Sequence, residues 1–170
     1  AEGIVPIVEP EVLLDGDHGI ERCAEISETV LHEVFHALYR HRVILELMIL
    51  KPSMVLPGKS SGHHAEPHEV AERTLKVLRR TVPAAVRSIN FLSGGQTPSQ
   101  ATANLDAMNR DFSDQPWMLS FSFARALQEP AMASWGGRPE TIEDAQTAFY
   151  NRARLAADAS RGEYDSAMDS

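Results

Sequence analysis

A chain of 170 residues with 43% hydrophobic and 24% charged residues is long enough to bury one sizeable core, and its composition is that of an ordinary globular protein. The formal net charge of -8 weighs against nucleic acid and anionic membrane surfaces as partners. No stretch is apolar for long enough to span a bilayer, and the single cysteine, Cys23, cannot form an internal disulfide, which suits a reducing, cytoplasmic compartment.

Strand-like and helix-like segments alternate four times. Residues 4–8 form a short apolar run closed by Glu9-Pro10. Neither a basic leader nor an initiator Met precedes it, as though something upstream had been cut away. Residues 19–42 read as a long helix, with Ile20, Cys23, Ile26, Val30, Val34 and Leu38 as its apolar stripe. The aliphatic run 43–50, ended by Lys51-Pro52, predicts a buried strand of a helix-covered parallel sheet. A loop containing Pro57, Gly58 and Gly62 leads to a helix over 67–81, which Pro83 stops. Residues 88–92 form the third strand, followed by Ser93-Gly94-Gly95 and a helix over 98–109 with Thr97 as its N-cap. The fourth strand is 117–123, a short helical piece starts near Arg125, and a last helix covers 139–159.

Repeated β-α units in one domain over residues 1–170 indicate an α/β fold, either an open sheet or a barrel of parallel strands. No G-x-G-x-x-G turn opens the first helix, which disfavours a dinucleotide site. Four units amount to half of a parallel (β/α)8 TIM-type barrel, which typically needs about 250 residues. A half barrel standing alone would expose strand edges and favour association. The chain therefore reads as a fragment, a half that pairs with something, or an open sheet.

In parallel barrels the chemistry sits at the carboxyl ends of the strands. Those ends bear Glu9 and Glu11, then Lys51, then Ser93-Gly94-Gly95, then Ser122 and Arg125. A lysine at the edge of an apolar core loses water, which favours the neutral amine that attacks a carbonyl. A nearby carboxylate can move protons. Glycines let backbone N–H groups approach an anion, and arginine offers a planar fork suited to phosphate. Alone, each has a plainer reading: a lysine reaching water, a solvated Glu-Pro-Glu loop, a common Gly-Gly turn. Agreement among four strand ends favours a site.

Two metal-like patterns compete with it. His32-Glu33-Val34-Phe35-His36 matches H-E-x-x-H on a helix, but a third ligand is missing. His63-His64 with His68 lies in a Gly/Ser-containing loop and reads as solvated.

The segments Val5-Pro6-Ile7-Val8-Glu9-Pro10-Glu11, Leu50-Lys51-Pro52-Ser53-Met54-Val55, Phe91-Leu92-Ser93-Gly94-Gly95-Gln96 and Ser120-Phe121-Ser122-Phe123-Ala124-Arg125-Ala126-Leu127 closely resemble the class I fructose-bisphosphate aldolases. Asp15-Gly16-Asp17-His18 and Arg79-Arg80-Thr81-Val82-Pro83 fit as well. The resemblance runs along nearly the whole chain but covers only the second half of that family's barrel. It implies reversible cleavage of fructose 1,6-bisphosphate to dihydroxyacetone phosphate and glyceraldehyde 3-phosphate, in cytoplasmic glycolysis and gluconeogenesis, without metal or cofactor. By the same resemblance Lys51 forms the Schiff base, Glu9 moves protons and Glu11 is a second active-site carboxylate. Ser93, Gly94, Ala124 and Arg125 hold a substrate phosphate, and Ser122 meets a substrate hydroxyl. Leu47-Met48 is bulkier than the family's pattern, which implies a repacked barrel wall. The partner implied is a small sugar phosphate, in a complete enzyme that is a homo-oligomer. The half represented here is expected to turn over little by itself; the alternative is a catalytically incomplete half barrel that serves only as an assembly piece.

Overall fold

Four parallel strands pair in sequential order in the computed structural model, which describes residues 2–169. They are β1 (Ile7–Val8), β2 (Ile49–Leu50), β3 (Ser88–Phe91) and β4 (Met118–Phe121). Between and after them run the helices α1 (Ile20–Arg40), α2 (Pro67–Thr81), α3 (Pro98–Asp111), α4 (Arg125–Trp135) and α5 (Ile142–Ala159). Among the described residues no helix is long and apolar enough to cross a membrane.

Register sets the two faces of the sheet. Val8 lies opposite Leu50, Leu50 opposite Ile89, and Ile89 opposite Leu119. Of this row, Leu50, Ile89 and Leu119 are buried and belong to the core shared with α2 and α3 through Val70, Leu75, Leu78, Leu105 and Met108. The alternate positions are the more open ones: Met118 is 71% exposed, and Ser88, Asn90 and Ser120 are half-buried. Sequential strand order with one covered face is the geometry of a barrel segment. A doubly wound sheet would reverse its order and cover both faces.

All four strands are shorter than the apolar pattern predicts, β3 by one residue, β1 and β4 by three, and β2 by the most. Within 43–50 only Ile49–Leu50 pairs with neighbours, because Leu45–Leu47 forms a 3-10 turn that leaves Ile44 and Leu47 each 59% exposed. Met48 turns into the core, so of the bulky pair only one residue repacks the interior. Within 4–8 only Ile7–Val8 pairs. The α1 stripe also differs: Ile20, Cys23, Ser27 and Leu31 are buried, whereas Val34 and Leu38 are half-buried. At about 100° per residue Val34 and Leu38 share the face of Ile20 and Leu31 and only lose cover toward the end of the helix, whereas Ile26, half-buried, sits on its flank and Ser27 takes the buried place.

Thr97 caps α3 as expected and does so through a reciprocal capping box. Its hydroxyl accepts from the Gln100 amide at 3.2 Å, and the Gln100 side chain accepts from the Thr97 amide at 3.0 Å. The C-terminal segment is tied to α3 and α5 by buried polar groups. Arg152 pairs with Asp169 and donates to Thr102 Oγ1 at 2.8 Å; Tyr164 donates its hydroxyl to Asp169 and its amide to Asp106, each at 2.9 Å. Burial works to raise Asp169, but hydrogen bonds from Ser99 and Tyr164 and the Arg152 charge hold it below the usual carboxylate value. Burial, reinforced by Asp169, pushes the Tyr164 hydroxyl up to about 12.

A raised folded value fixes the sign of the alkaline response. The unfolded tyrosine ionises from its ordinary value of 10.0, whereas the folded one keeps its proton to about 12. Stability supplied by this group is therefore complete below the first value and is lost as pH rises to the second. Urea denaturation on either side of that window should show a steeper alkaline loss for the parent chain than for Tyr164→Phe. Parallel losses would mean that Tyr164 does not link the C-terminal segment to the core.

Candidate active site

The carboxyl ends of the four strands converge on a cleft of about 130 Å³. Backbone pairing continues one step beyond the strands and sets its walls. Lys51 donates its amide to Val8 O at 2.8 Å, Ser122 donates to Phe91 O at 2.8 Å, and Leu92 donates to Pro52 O at 3.1 Å. Alternation then puts Lys51 and Glu9 on the open face, since Leu50 and Val8 precede them on the covered one. Lys51 Nζ lies 3.0 Å from Glu9 Oε1, with the lysine side chain 16% and the glutamate side chain 48% exposed. The stem of the lysine is thus sheltered while its amine faces a carboxylate at proton-transfer distance.

Glu11 stands over the next strand end. Its Oε1 lies 3.4 Å from where a β-carbon on Gly94 would sit. Gly94 and Gly95 have φ of +27° and +77°, the left-handed region that glycine enters without penalty. Ser93 is buried and its carbonyl accepts from the Gln96 amide at 3.0 Å, which fixes the turn just before α3. Gln96 is fixed in turn by the Asn104 side-chain amide, which donates to Gln96 Oε1 at 2.7 Å. On the fourth strand end, Ser122 and Ala124 line the cleft and Arg125 opens α4. Among the described residues no carboxylate pairs with the Arg125 guanidinium.

All eight residues expected at the site therefore line one cleft: Glu9, Glu11, Lys51, Ser93, Gly94, Ser122, Ala124 and Arg125. Gly95 does not join them, for it faces a separate cavity on the other side of the turn. Sequence reasoning passed over Ser53, whose hydroxyl accepts from Val12 N at 2.8 Å and donates to Val12 O at 3.3 Å. That pair of hydrogen bonds straps the glutamate loop to the segment after Lys51; in the sequence Ser53 stood out only as part of a segment that carries the family resemblance. Gln96 appeared only as the last residue of a segment that carries the family resemblance, and Asn104, a buried amide within a helix, carried no signal. The metal-like patterns stay apart from the cleft. His32 and His36 are exposed on α1, His63 and His64 are exposed in a loop, and His68 meets Phe112 in a tilted ring contact with centroids 5.1 Å apart. No group of three or more ligands suited to a metal occurs among the described residues.

The arrangement is an amine beside a carboxylate, with an unpaired guanidinium, hydroxyls and a glycine turn within one small cavity. It can receive a phosphorylated carbonyl compound. Gly94→Ala tests the turn directly, because the added carbon would meet Leu92 Cδ1 at 2.4 Å in a backbone conformation unsuited to alanine. The strain is about 1–2 kcal/mol. Thermal denaturation should show that loss together with weaker binding of inorganic phosphate; unchanged phosphate binding would remove Gly94 from the anion site.

The family model described as "Glycolytic: Fructose-bisphosphate aldolase class-I" matches residues 1–170. The cytosolic fructose-bisphosphate aldolase 4 of Arabidopsis thaliana is 49% identical over 162 residues, 95% of this chain and 41% of that protein. The chloroplastic fructose-bisphosphate aldolase 1 of Chlamydomonas reinhardtii is 50% identical over 167 residues, 98% of this chain and 44% of that protein. Fructose-bisphosphate aldolase of Plasmodium falciparum, solved in a ternary complex with TRAP and a small molecule inhibitor, superposes with a TM-score of 0.91 at 41% identity. The match covers 95% of this chain and 46% of that one. The chain thus spans less than half the length of these relatives. With its parallel barrel segment and a family match along its whole length, the chain belongs to the class I fructose-bisphosphate aldolases.

Proposed function

We propose that the chain carries the Schiff-base portion of a class I aldolase site, which cleaves fructose 1,6-bisphosphate reversibly to dihydroxyacetone phosphate and glyceraldehyde 3-phosphate. The observation that carries this reading is the 3.0 Å approach of Lys51 Nζ to Glu9 Oε1 in the cleft that also holds Gly94 and Arg125. Lys51 hands a proton to Glu9, and the free amine adds to the ketose carbonyl. The carbinolamine oxygen takes a proton and leaves as water, which gives a protonated imine. Its cationic nitrogen accepts the electron pair of the breaking carbon–carbon bond as a carboxylate removes the neighbouring hydroxyl proton, and the aldehyde departs. The enamine left behind is protonated on carbon, and water then hydrolyses the imine to release the ketone and restore the amine. Glu9 is the proton carrier, with Glu11 as the second carboxylate. Ser93, the N–H groups of Gly94 and Ala124, and Arg125 hold a phosphate, while Ser122 meets a substrate hydroxyl.

A second reading has its own support. Ile4, Val5 and Ile7 along the β1 edge and Met118 on the open face are exposed. Apolar surface beside an unpaired strand edge suits association with further chain or with another copy, and so fits both an assembly piece and the homo-oligomer proposed for the complete enzyme. The relatives named above include cytosolic and chloroplastic forms, so kinship accommodates either compartment; the cytoplasm remains our proposal.

Hydrogen exchange in dihydroxyacetone phosphate separates the readings, because it needs the imine and one proton carrier but not the second substrate. In deuterated buffer the chain should exchange the carbon-bound hydrogen next to the carbonyl, followed by NMR. Lys51→Met should reduce exchange to background, and Glu9→Gln should slow it by roughly 10²–10⁴. Equal exchange by the parent chain and Lys51→Met would refute the catalytic reading.

A further inference from the structure

The Ser93-Gly94-Gly95 turn has a cavity on each side. Gly94 faces the Lys51 cleft, and Gly95 faces a larger cavity of about 400 Å³. The loop after β2, the start of α3 and the C-terminal segment at Tyr164 and Ser166 enclose it. This volume lies within the range of small-molecule sites, roughly 300–1,000 Å³.

Its chemistry opposes that of the whole molecule. The chain carries 24 acidic residues, yet no aspartate or glutamate lines this cavity. The polar wall includes Lys59, His63, His64 and Tyr164, while Leu14, Leu56 and Ala103 provide apolar surface. Lys59 is held in place by its backbone, which donates to Leu14 O at 2.8 Å. Its side chain lies across the turn: Cε and Nζ are 2.7 and 2.9 Å from where a β-carbon on Gly95 would be, and the φ of +77° there favours glycine, which lets the lysine lie this close. Among the described residues no carboxylate pairs with this ammonium, so its charge is free to meet a ligand.

We propose that this cavity is a second anion site, which takes a small phosphate monoester with an apolar body. The phosphate meets Lys59 and the His63-His64 wall, and the body lies on Leu14 and Leu56. Three donors suit a dianion with three terminal oxygens, and apolar surface opposite them has no use for a bare inorganic ion. The two cavities stand back to back and share the turn. The proposal is independent of the function assigned to the Lys51 cleft, since none of these wall residues belongs to it.

An NMR titration of the chain with phenyl phosphate, read at backbone amides, tests it. The expected result is saturable shifts at Lys59, His63, His64 and Gly95 that persist in Arg125→Ala, a change made in the other cleft. Lys59→Met should weaken binding about tenfold or more, as loss of a charge-assisted contact does, and Lys59→Arg should restore most of it. The same spectra report whether each variant is folded. His63→Asn with His64→Asn, both in an exposed loop, provides a second reading of the same wall. Shifts confined to Lys51, Ser93 and Arg125, shifts abolished by Arg125→Ala, or an affinity untouched by both Lys59→Met and the double histidine change would overturn the proposal.

Discussion

Strand register is the constraint on which the site depends. The row Val8, Leu50, Ile89 and Leu119 directs its side chains toward the helices, so the next residue of each of the first two strands, Glu9 or Lys51, must turn to the open face. A slip of one residue in β2 would drive Lys51 into the apolar layer and lift Leu50 into the open. Burial of Leu50 and Ile89 beneath α2 and α3 opposes that slip far more strongly than two-residue strands could by hydrogen bonding alone. The core that stabilises the fold also points the lysine, and the Ser53 strap then holds the glutamate loop beside it.

Electrostatic economy follows from this placement. In a chain of net charge -8, the unpaired cations Lys59 and Arg125 lie on opposite sides of one glycine turn. Several other arginines have carboxylate partners, as in Arg80 with Glu28, Arg110 with Asp106 and Arg152 with Asp169. Guanidiniums already satisfied in this way add little anion affinity, whereas an unpaired one retains its full field for a ligand.

Much of this was legible in the order of residues, for physical reasons that differ by element. The rim was readable because parallel strands end abruptly, so Glu9, Lys51, Ser93 and Ser122 each follow an apolar run directly. Strand length was not. The run 43–50 is aliphatic throughout, but an apolar run reports composition and not hydrogen bonding, and a turn at Leu45–Leu47 fits the same letters. The α1 stripe misled for a related reason, since Ser27, a polar residue, holds a buried position that apolar Ile26 on the flank does not. Ser53 acts by bonding Val12, 41 residues away, and Asn104 bonds Gln96 in the turn before α3, partnerships that leave no local periodicity. Lys59 was equally silent, for its neighbour Gly95 lies more than thirty residues away.

Lys51 is the nucleophile we propose for this fold. Borohydride trapping with dihydroxyacetone phosphate, followed by peptide mass spectrometry, tests it most directly. A reduced adduct is expected on Lys51 and on neither of the chain's other lysines, Lys59 and Lys76. An adduct on Lys59 or Lys76 instead, or none from a sample shown to be folded, would contradict it.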